Sequence, residues 1–113
     1  MLSLSPFIRY FLYQEPCDMR SGIYSLAGLV QNKLRQDPLS GDVFIFIGKT
    51  GKQIRLLQWD KDGYALYMKK LEKGTFEKPD RKDFQITSKE LMLILEGIHL
   101  TSVQMRKRYS KQG

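Results

Sequence analysis

Two apolar-patterned runs, residues 53–59 and 64–71, flank Asp60-Lys61-Asp62-Gly63 and constrain the fold more than any other feature. Asp-Gly between alternating apolar residues is a strong β-hairpin signal. A continuously apolar run at 43–47 precedes them and suits a strand that is covered on both faces. Gly48-Lys49-Thr50-Gly51-Lys52 then joins this strand to the hairpin as a turn. Together these segments predict a three-strand antiparallel meander.

The segment before the meander predicts a strand followed by a helix. Residues 7–13 are rich in aromatic and β-branched side chains, and Pro16 breaks the run. Asp18 is of a residue type that caps helices by accepting bonds from free N–H groups, and the apolar residues after it fall on one helical face. Because proline restricts the residue before it, we expect the helix to end before Asp37-Pro38.

The segment after the meander predicts a short edge strand at 84–86 and a second helix. Thr87-Ser88-Lys89-Glu90 matches a capping box, in which the Thr hydroxyl and the Glu carboxylate each satisfy a free N–H group. Gly97 is suited to end this helix. The order strand, helix, meander, strand, helix predicts an α+β fold. We expect an antiparallel sheet built round the meander, with two helices packed on one face.

Length and charge predict one small domain with an anionic partner. The 113 residues suffice for a single core, and we expect an α+β domain over 1–100 and a basic, mobile tail over 101–113. Residues 1–45 carry four basic and four acidic side chains. Residues 46–113 carry fifteen basic and eight acidic ones, so the whole net charge of +7 lies there. Such asymmetry favours a polyanion, although it also fits a basic surface without a partner.

The sequence contains no signal for export, membrane insertion or a cofactor. Its single cysteine excludes an intramolecular disulfide. Neither a signal peptide nor an apolar run near the roughly 20 residues of a membrane span is present. We therefore expect a cytoplasmic protein with no membrane association and no cofactor.

Four patterns resemble parts of catalytic or ligand-binding sites, but each lacks residues that such a site needs. Gly48-Lys49-Thr50 lacks the preceding glycine and the following helix of a phosphate-binding loop. Asp60-Lys61-Asp62-Gly63 lacks the later oxygen ligands of a calcium loop, and a hairpin turn explains it. Cys17 and His99 have no third group to complete a nucleophilic site. The carboxylates that a two-metal nuclease would need are scattered, so we expect neither catalysis nor a metal site. These scattered carboxylates are Asp18, Asp37, Asp60, Asp62 and Glu72.

Basic side chains interleave with aromatic ones along the predicted hairpin, which suits contact with a polyanion. Lysine and arginine neutralise phosphates, while Trp59, Tyr64 or Tyr67 could stack on bases or sugars. Alternatively, these aromatic residues are half-buried parts of the sheet. The predicted DNA-binding residues are Lys49, Lys52, Arg55, Lys69, Lys70, Lys73, Arg106, Lys107 and Arg108.

Several short motifs follow one another in a specific order between residues 7 and 98. They are Asp18-Met19-Arg20-Ser21-Gly22-Ile23, Asp37-Pro38-Leu39-Ser40-Gly41, Ile54-Arg55-Leu56-Leu57, Trp59-Asp60, Gly63-Tyr64, Lys69-Lys70-Leu71-Glu72-Lys73-Gly74-Thr75-Phe76 and Leu95-Glu96-Gly97-Ile98. This order resembles the TnpB-type accessory proteins of the insertion sequence 66 transposon family. Two positions depart from that family: Lys70 stands where it usually has Arg, and Lys78-Pro79 stands where Trp-Pro is expected.

The resemblance implies a non-catalytic accessory protein of DNA transposition that acts with a separate, larger transposase. Contacts to DNA would be mainly to its phosphates. The alternative is a protein-interaction module that docks on the transposase with no direct DNA role, and a metal-dependent nuclease is a third. An exposed sheet edge would also allow a homo-oligomer. The residues assigned to the family motif or to docking are Asp18, Met19, Arg20, Gly22, Trp59, Asp60, Gly63, Gly74 and Phe76.

Overall fold

The structure, a computed structural model, describes residues 4–79 and 83–97. Within these ranges the chain forms strands β1 (Tyr10–Leu12), β2 (Val43–Ile47), β3 (Gln53–Asp60), β4 (Gly63–Lys70) and β5 (Gln85–Ile86), and helices α1 (Ile23–Asn32) and α2 (Ser88–Glu96). The predicted α+β class and element order are therefore confirmed. The predicted tail at 101–113 lies outside the described residues. Neither described helix is long and apolar enough to cross a membrane.

The strands of the described residues form one sheet in the order β4-β3-β2-β1-β5. β2, β3 and β4 are the predicted antiparallel meander, and β5 is an edge strand antiparallel to β1. β1 and β2, however, are parallel, with Phe11 opposite Phe44. The sheet is therefore mixed rather than wholly antiparallel. The reason is that α1 returns the chain to the end of the sheet where β1 began, as parallel neighbours require.

One face of the sheet packs against α2. Val43, Ile45 and Ile47 of β2 point to this side, since alternate residues of a strand share a face. They belong to one buried cluster with Leu91 and Ile94 of α2. Burying each such aliphatic side chain contributes about 1.5–3 kcal/mol, so this layer secures α2 to the sheet.

The opposite face packs against α1. Phe44 and Phe46 of β2 form a second buried cluster with Leu26 and Val30 of α1. Those two helix residues are four apart and so lie on one side of the helix. The helices therefore cover opposite faces of the sheet, instead of packing together on one face as the sequence predicted. With apolar layers on both sides, all of β2 is buried, as its continuous apolar run indicated.

The two helices begin in different ways. Thr87 Oγ1 accepts a hydrogen bond from Glu90 N (3.0 Å), and Glu90 Oε1 accepts one from Thr87 N (2.9 Å). This confirms the capping box of α2, and Gly97 ends that helix in the left-handed conformation, at φ 80°. The N-cap of α1 is Gly22, with no side-chain cap in the described structure. The prediction that Asp18 caps α1 is therefore wrong, because that carboxylate is bound elsewhere.

Candidate functional site

A cleft opens at the end of the sheet where the parallel strands β1 and β2 finish. β3 runs antiparallel to β2, and β4 antiparallel to β3, so the start of β3 and the end of β4 lie at this same end. Three segments meet there: the loop 17–22 after β1, the turn 48–52 after β2, and residues 70–76 at and after the end of β4. Cys17 extends the parallel pairing by a bridge to Gly48.

The cleft carries positive side chains from all three segments. Its volume is about 510 Å³, and its lining comprises Cys17, Asp18, Met19, Arg20, Lys49, Thr50, Lys52, Gln53 and Lys70. Among these described lining residues, four are cationic and one is acidic, and all four cations are exposed. We call this feature the cationic cleft. It brings the predicted DNA-binding residues Lys49, Lys52 and Lys70 together with Arg20, which was assigned to the family motif.

Asp18 and Arg20 form a bidentate ion pair in the lining. Arg20 Nε and Nη2 donate to the two carboxylate oxygens at 3.1 and 3.0 Å, and Arg20 N donates to Oδ1 at 2.9 Å. These hydrogen bonds from the side chain and backbone of Arg20, with a smaller attraction from Lys49, lower the pKa of Asp18 to about 2. Asp18 is therefore ionised at neutral pH, and Arg20 balances its charge. Lys49, Lys52 and Lys70 form no ion pair with a residue that the structure describes.

Arg55 holds the loop that carries this ion pair. Its Nη1 donates to the main-chain oxygen of Ser21 at 2.6 Å, and its Nη2 donates to that of Met19. Arg55 Nε is buried without a hydrogen-bond partner among the described atoms. The structure thus places this predicted DNA-binding residue against the loop, where main-chain oxygens engage its donors.

Gly48 allows the loop and the turn to approach closely. A Cβ at this position would lie 2.8 Å from Cγ of Met19, closer than side-chain carbons pack. Met19 is half-buried and packs against the apolar cluster on the α1 side. Its side chain therefore covers Gly48 and joins the loop to the turn.

The segment after β4 packs against the same turn. Phe76 N donates to Gly51 O at 2.7 Å, and the Phe76 side chain is buried in the cluster on the α2 side. Lys52 Nζ donates to the main-chain oxygen of Gly74 at 3.4 Å, and Gly74 has a left-handed φ of 77°. Gly74 and Phe76 therefore support the cleft rather than line it. Lys73, on this segment, is exposed outside the lining.

Lys69 and Lys70 point to opposite faces of the sheet, because they are consecutive in β4. Lys70 lines the cleft on the α1 side. Lys69 Nζ donates instead to the main-chain oxygen of Leu95 in the last turn of α2, at 3.3 Å. The helix dipole favours a cation at this end. Of these two predicted DNA-binding lysines, Lys70 is the one that belongs to the cleft.

The motif residues Trp59, Asp60 and Gly63 lie at the opposite end of the sheet, around the turn between β3 and β4. The rings of Trp59 and Tyr64 meet edge to face with centroids 5.1 Å apart, and Tyr64 meets Tyr24 of α1 at 6.1 Å. Tyr24 is 83% exposed. We call Tyr24, Trp59 and Tyr64 the aromatic cluster. The family motif therefore divides between the two ends of the sheet.

The groups considered for catalysis are kept apart in the structure. Within residues 4–79 and 83–97, no group of three or more His, Cys, Asp or Glu is placed to hold a metal ion. Asp18 lies at the cleft, whereas Asp60 lies at the opposite end of the sheet. Burial raises the pKa of the Cys17 thiol, the reverse of what an activated nucleophile needs. His99 and three predicted DNA-binding residues lie outside the described residues. These three are Arg106, Lys107 and Arg108.

Three lining residues, Cys17, Thr50 and Gln53, were not assigned to the site from the sequence. Gln53 lies opposite Lys70 in the pairing of β3 with β4. The register of the hairpin could have predicted that Gln53 lines the cleft beside Lys70, because opposed residues share a face of the sheet. Thr50 lies in the turn between two predicted DNA-binding lysines, and only that position in the sequence could have indicated that it lines the site.

Fold and cleft together define a small α+β domain whose candidate site is built from the loops at one end of a mixed sheet. The chain belongs to the IS66 Orf2-like family, whose model (TnpB_IS66) matches residues 8–105. It is thus an accessory protein associated with transposition, and the family that its motifs resemble is confirmed.

Two uncharacterized proteins of Sinorhizobium fredii (strain NBRC 101917 / NGR234) are similar to the chain along nearly its whole length. Protein y4jC is 33% identical over 108 residues, which cover 94% of this chain and 92% of y4jC. Protein y4hO is 32% identical over 115 residues, which cover all of both chains. No solved structure gives a significant match.

Proposed function

We propose that the protein is a non-catalytic accessory factor that holds DNA by phosphate contacts in the cationic cleft and works with a separate transposase. The observation that carries this proposal is the convergence of Arg20, Lys49, Lys52 and Lys70 from three chain segments on one cleft. Family membership supplies the context of transposition.

The charges of the cleft suit a phosphate backbone. Because Arg20 pairs with Asp18, the surplus charge belongs to Lys49, Lys52 and Lys70. A lysine ammonium is a compact charge on a flexible stem, so it can follow a phosphate chain without fixing one base. Phosphate contacts position a protein on DNA but carry no sequence information. We therefore expect tight binding at low salt with little sequence preference.

Binding to a short DNA duplex across a salt series tests the proposal. Each phosphate contact adds about −0.9 to the slope of log K against log salt, so the three lysines predict a slope of about −3. Replacing Lys49, Lys52 and Lys70 together by Ala should flatten that slope and remove most of the affinity. Lys33→Ala is the matched control, since Lys33 is an exposed lysine at the end of α1 outside the lining.

Transposon-end and scrambled duplexes are measured in parallel. Equal affinity supports a backbone-holding factor, and a preference for the ends would add recognition of sequence to that role. A wild-type slope near zero, or an equal loss of affinity in the Lys33→Ala control, would contradict DNA binding by the cleft.

The aromatic cluster favours a second candidate function, docking on the transposase. Its Trp59 lies with Asp60 and Gly63 at the end of the sheet away from the cleft, so DNA bound in the cleft leaves this part of the family motif unused. Exposed Tyr and Trp side chains are enriched at protein-binding hot spots. The test is co-purification with the transposase in the absence of DNA. Capture should fall in Tyr24→Ala but not in Phe7→Ala, an aromatic control that is 94% exposed.

A further inference from the structure

β4 is an edge strand of the sheet that the described residues form. Its inner edge pairs with β3 along its whole length, and no strand within residues 4–79 and 83–97 pairs with its outer edge. The apolar residues 65–68 in its middle are all exposed, with Leu66 at 36%, Tyr67 at 38% and Met68 at 54%. A long apolar edge strand is a template for pairing with another chain unless it is protected.

We propose that the outer edge of β4 pairs antiparallel with β4 of a second copy of this chain, around a twofold axis at Leu66. Such an interface is isologous, so the same residues must be complementary to themselves. With Leu66 opposite Leu66 of the partner subunit, Tyr64 faces Met68 of the partner subunit and Met68 faces Tyr64 of the partner subunit. All of these residues lie on the α1 side of the sheet. The exposed Leu66 and Met68 of the two copies would therefore form one apolar strip with the half-buried Tyr64.

The hydrogen bonds of the hairpin place Leu66 correctly for this pairing. Leu71 N donates to Lys52 O at 2.7 Å, so these two residues form a bonded pair. Bonded and non-bonded pairs alternate along an antiparallel ladder. Residues 63, 65, 67 and 69 therefore direct their backbone groups to β3, and residues 64, 66, 68 and 70 direct theirs outward. Leu66 can thus exchange both backbone hydrogen bonds with Leu66 of the partner subunit.

The charges at the ends of β4 favour pairing with β4 of a second copy and favour the register with Leu66 on the axis. With Leu66 on the axis, Asp62 in the turn lies opposite Lys70 of the partner subunit, and the symmetry repeats this ion pair at the other end. Both side chains are exposed, so the pair is weak, and Lys70 can exchange it for a phosphate when DNA binds. Placing Tyr67 on the axis instead would bring Asp62 opposite Glu72 of the partner subunit. Like charges opposite one another destabilise a strand pair, whereas opposite charges stabilise it. Of these two registers, the one with Leu66 on the axis therefore makes the charges of β4 complementary, and the one with Tyr67 on the axis does not.

A dimer of this kind would arrange two cationic clefts for one DNA molecule, a consequence that rests on the proposed function. The twofold axis is perpendicular to the sheet, so the α1 face of both copies lies on the same side. The two Lys70 residues are eight residues apart along the paired strands, or about 27 Å at 3.4 Å per residue. The clefts extend beyond Lys70, so their spacing approaches one turn of B-DNA, about 34 Å.

Sedimentation equilibrium of the DNA-free chain over a wide concentration range tests the dimer separately from DNA binding. We expect a concentration-dependent monomer–dimer equilibrium. Leu66→Lys places two like charges together on the axis and should weaken dimerisation about tenfold or more. Phe7→Ala, an exposed change elsewhere, should leave it unaltered. The proposal would be overturned if the wild-type chain stayed monomeric at every concentration, or if Leu66→Lys left the dimerisation constant unchanged.

Crosslinking and charge reversal test the register. In this register Ala65 lies opposite Tyr67 of the partner subunit in a non-bonded pair, whose Cα atoms are about 4.5 Å apart and within disulfide range, so the double variant Ala65→Cys/Tyr67→Cys should give an oxidised dimer. Tyr67→Cys alone should not, and the wild-type chain controls for Cys17, which is buried. Asp62→Lys and Lys70→Asp should each weaken the dimer several-fold, and the double variant should restore it. Crosslinking of Tyr67→Cys alone, or no restoration, would overturn this register.

Discussion

Arg55 Nη1 donates a 2.6 Å hydrogen bond to the main-chain oxygen of Ser21, which links the middle of β3 to the loop before α1 across 34 positions of sequence. The same guanidinium also donates to Met19 O. Because the loop carries Asp18 and Arg20 into the cleft, Arg55 positions one wall of the candidate site. The DNA contact that the sequence predicts for Arg55 stays a prediction, and its hydrogen bonds to the loop are what the structure shows.

Arg55→Ala should loosen the loop. It removes two hydrogen bonds from a charged donor, each worth about 1.5–3 kcal/mol, so we expect unfolding by denaturant to show a loss of at least about 2 kcal/mol. Arg55→Lys should recover only part of it, because an ammonium lacks the planar fork.

The thiol of Cys17 reports on the same loop without DNA. It is buried, and burial raises its pKa, so it should react slowly with a thiol reagent in the wild-type chain. In Arg55→Ala the rate should rise, while Lys33→Ala should leave it unchanged. An unaltered rate would contradict the positioning role of Arg55. The salt slope of DNA binding should stay as in the wild-type chain, since no phosphate contact is removed.

Lys70→Arg should tighten DNA binding without changing its salt slope. The substitution keeps the charge, so the number of released cations is the same, and it adds a fork that can bind one phosphate through two hydrogen bonds. Titrations of a duplex at several salt concentrations measure both quantities. Lys70→Ala is the paired variant and should make the slope less negative by about 0.9. Equal slopes for Arg and Ala would contradict a phosphate contact at position 70.

Gly48→Ala should destabilise the fold through its contact with Met19. The added Cβ would lie 2.8 Å from Met19 Cγ, so the side chain must move, and such overpacking costs about 1–3 kcal/mol. Combining Gly48→Ala with Met19→Ala should cost less than the sum of the two changes, because the second removes the clash. A double-mutant cycle of unfolding free energies measures this coupling. Strict additivity would show that the two residues do not meet.

Acid should remove the stabilising contribution of the Asp18–Arg20 pair. The pKa of Asp18 is lowered from 3.8 to about 2 by hydrogen bonds from Arg20. A depressed pKa in the folded state stabilises above the unfolded value and loses that effect as the pH falls through the folded one. The loss should therefore fall between about pH 4 and pH 2. In Asp18→Asn the drop in thermal stability over that window should be smaller, and added salt should shrink the difference because the pair is exposed.

Local chemistry in the sequence determined the elements themselves. Asp60 to Gly63 specify a turn between alternating strands, and the hairpin forms there. Thr87 and Glu90 satisfy each other's backbone N–H groups three residues apart, and α2 begins with that exchange. The apolar run 43–47 had to be covered on both faces, and it is. Each of these signals depends on residues close together in the chain, so no distant partner was needed to interpret it.

Tertiary structure decided what the charged residues do and which faces the helices cover. Asp18 was expected to cap α1, but the N-cap is Gly22, four residues further along the chain, and Asp18 binds Arg20 instead. Arg55, which the sequence predicts to bind DNA, donates hydrogen bonds to main-chain oxygens of the loop. The parallel pairing of β1 with β2 placed the loop beside the turn and thereby assembled the cleft. A charged side chain takes the nearest partner in space, and that partner is set by strand pairing over long separations, which local patterns do not encode.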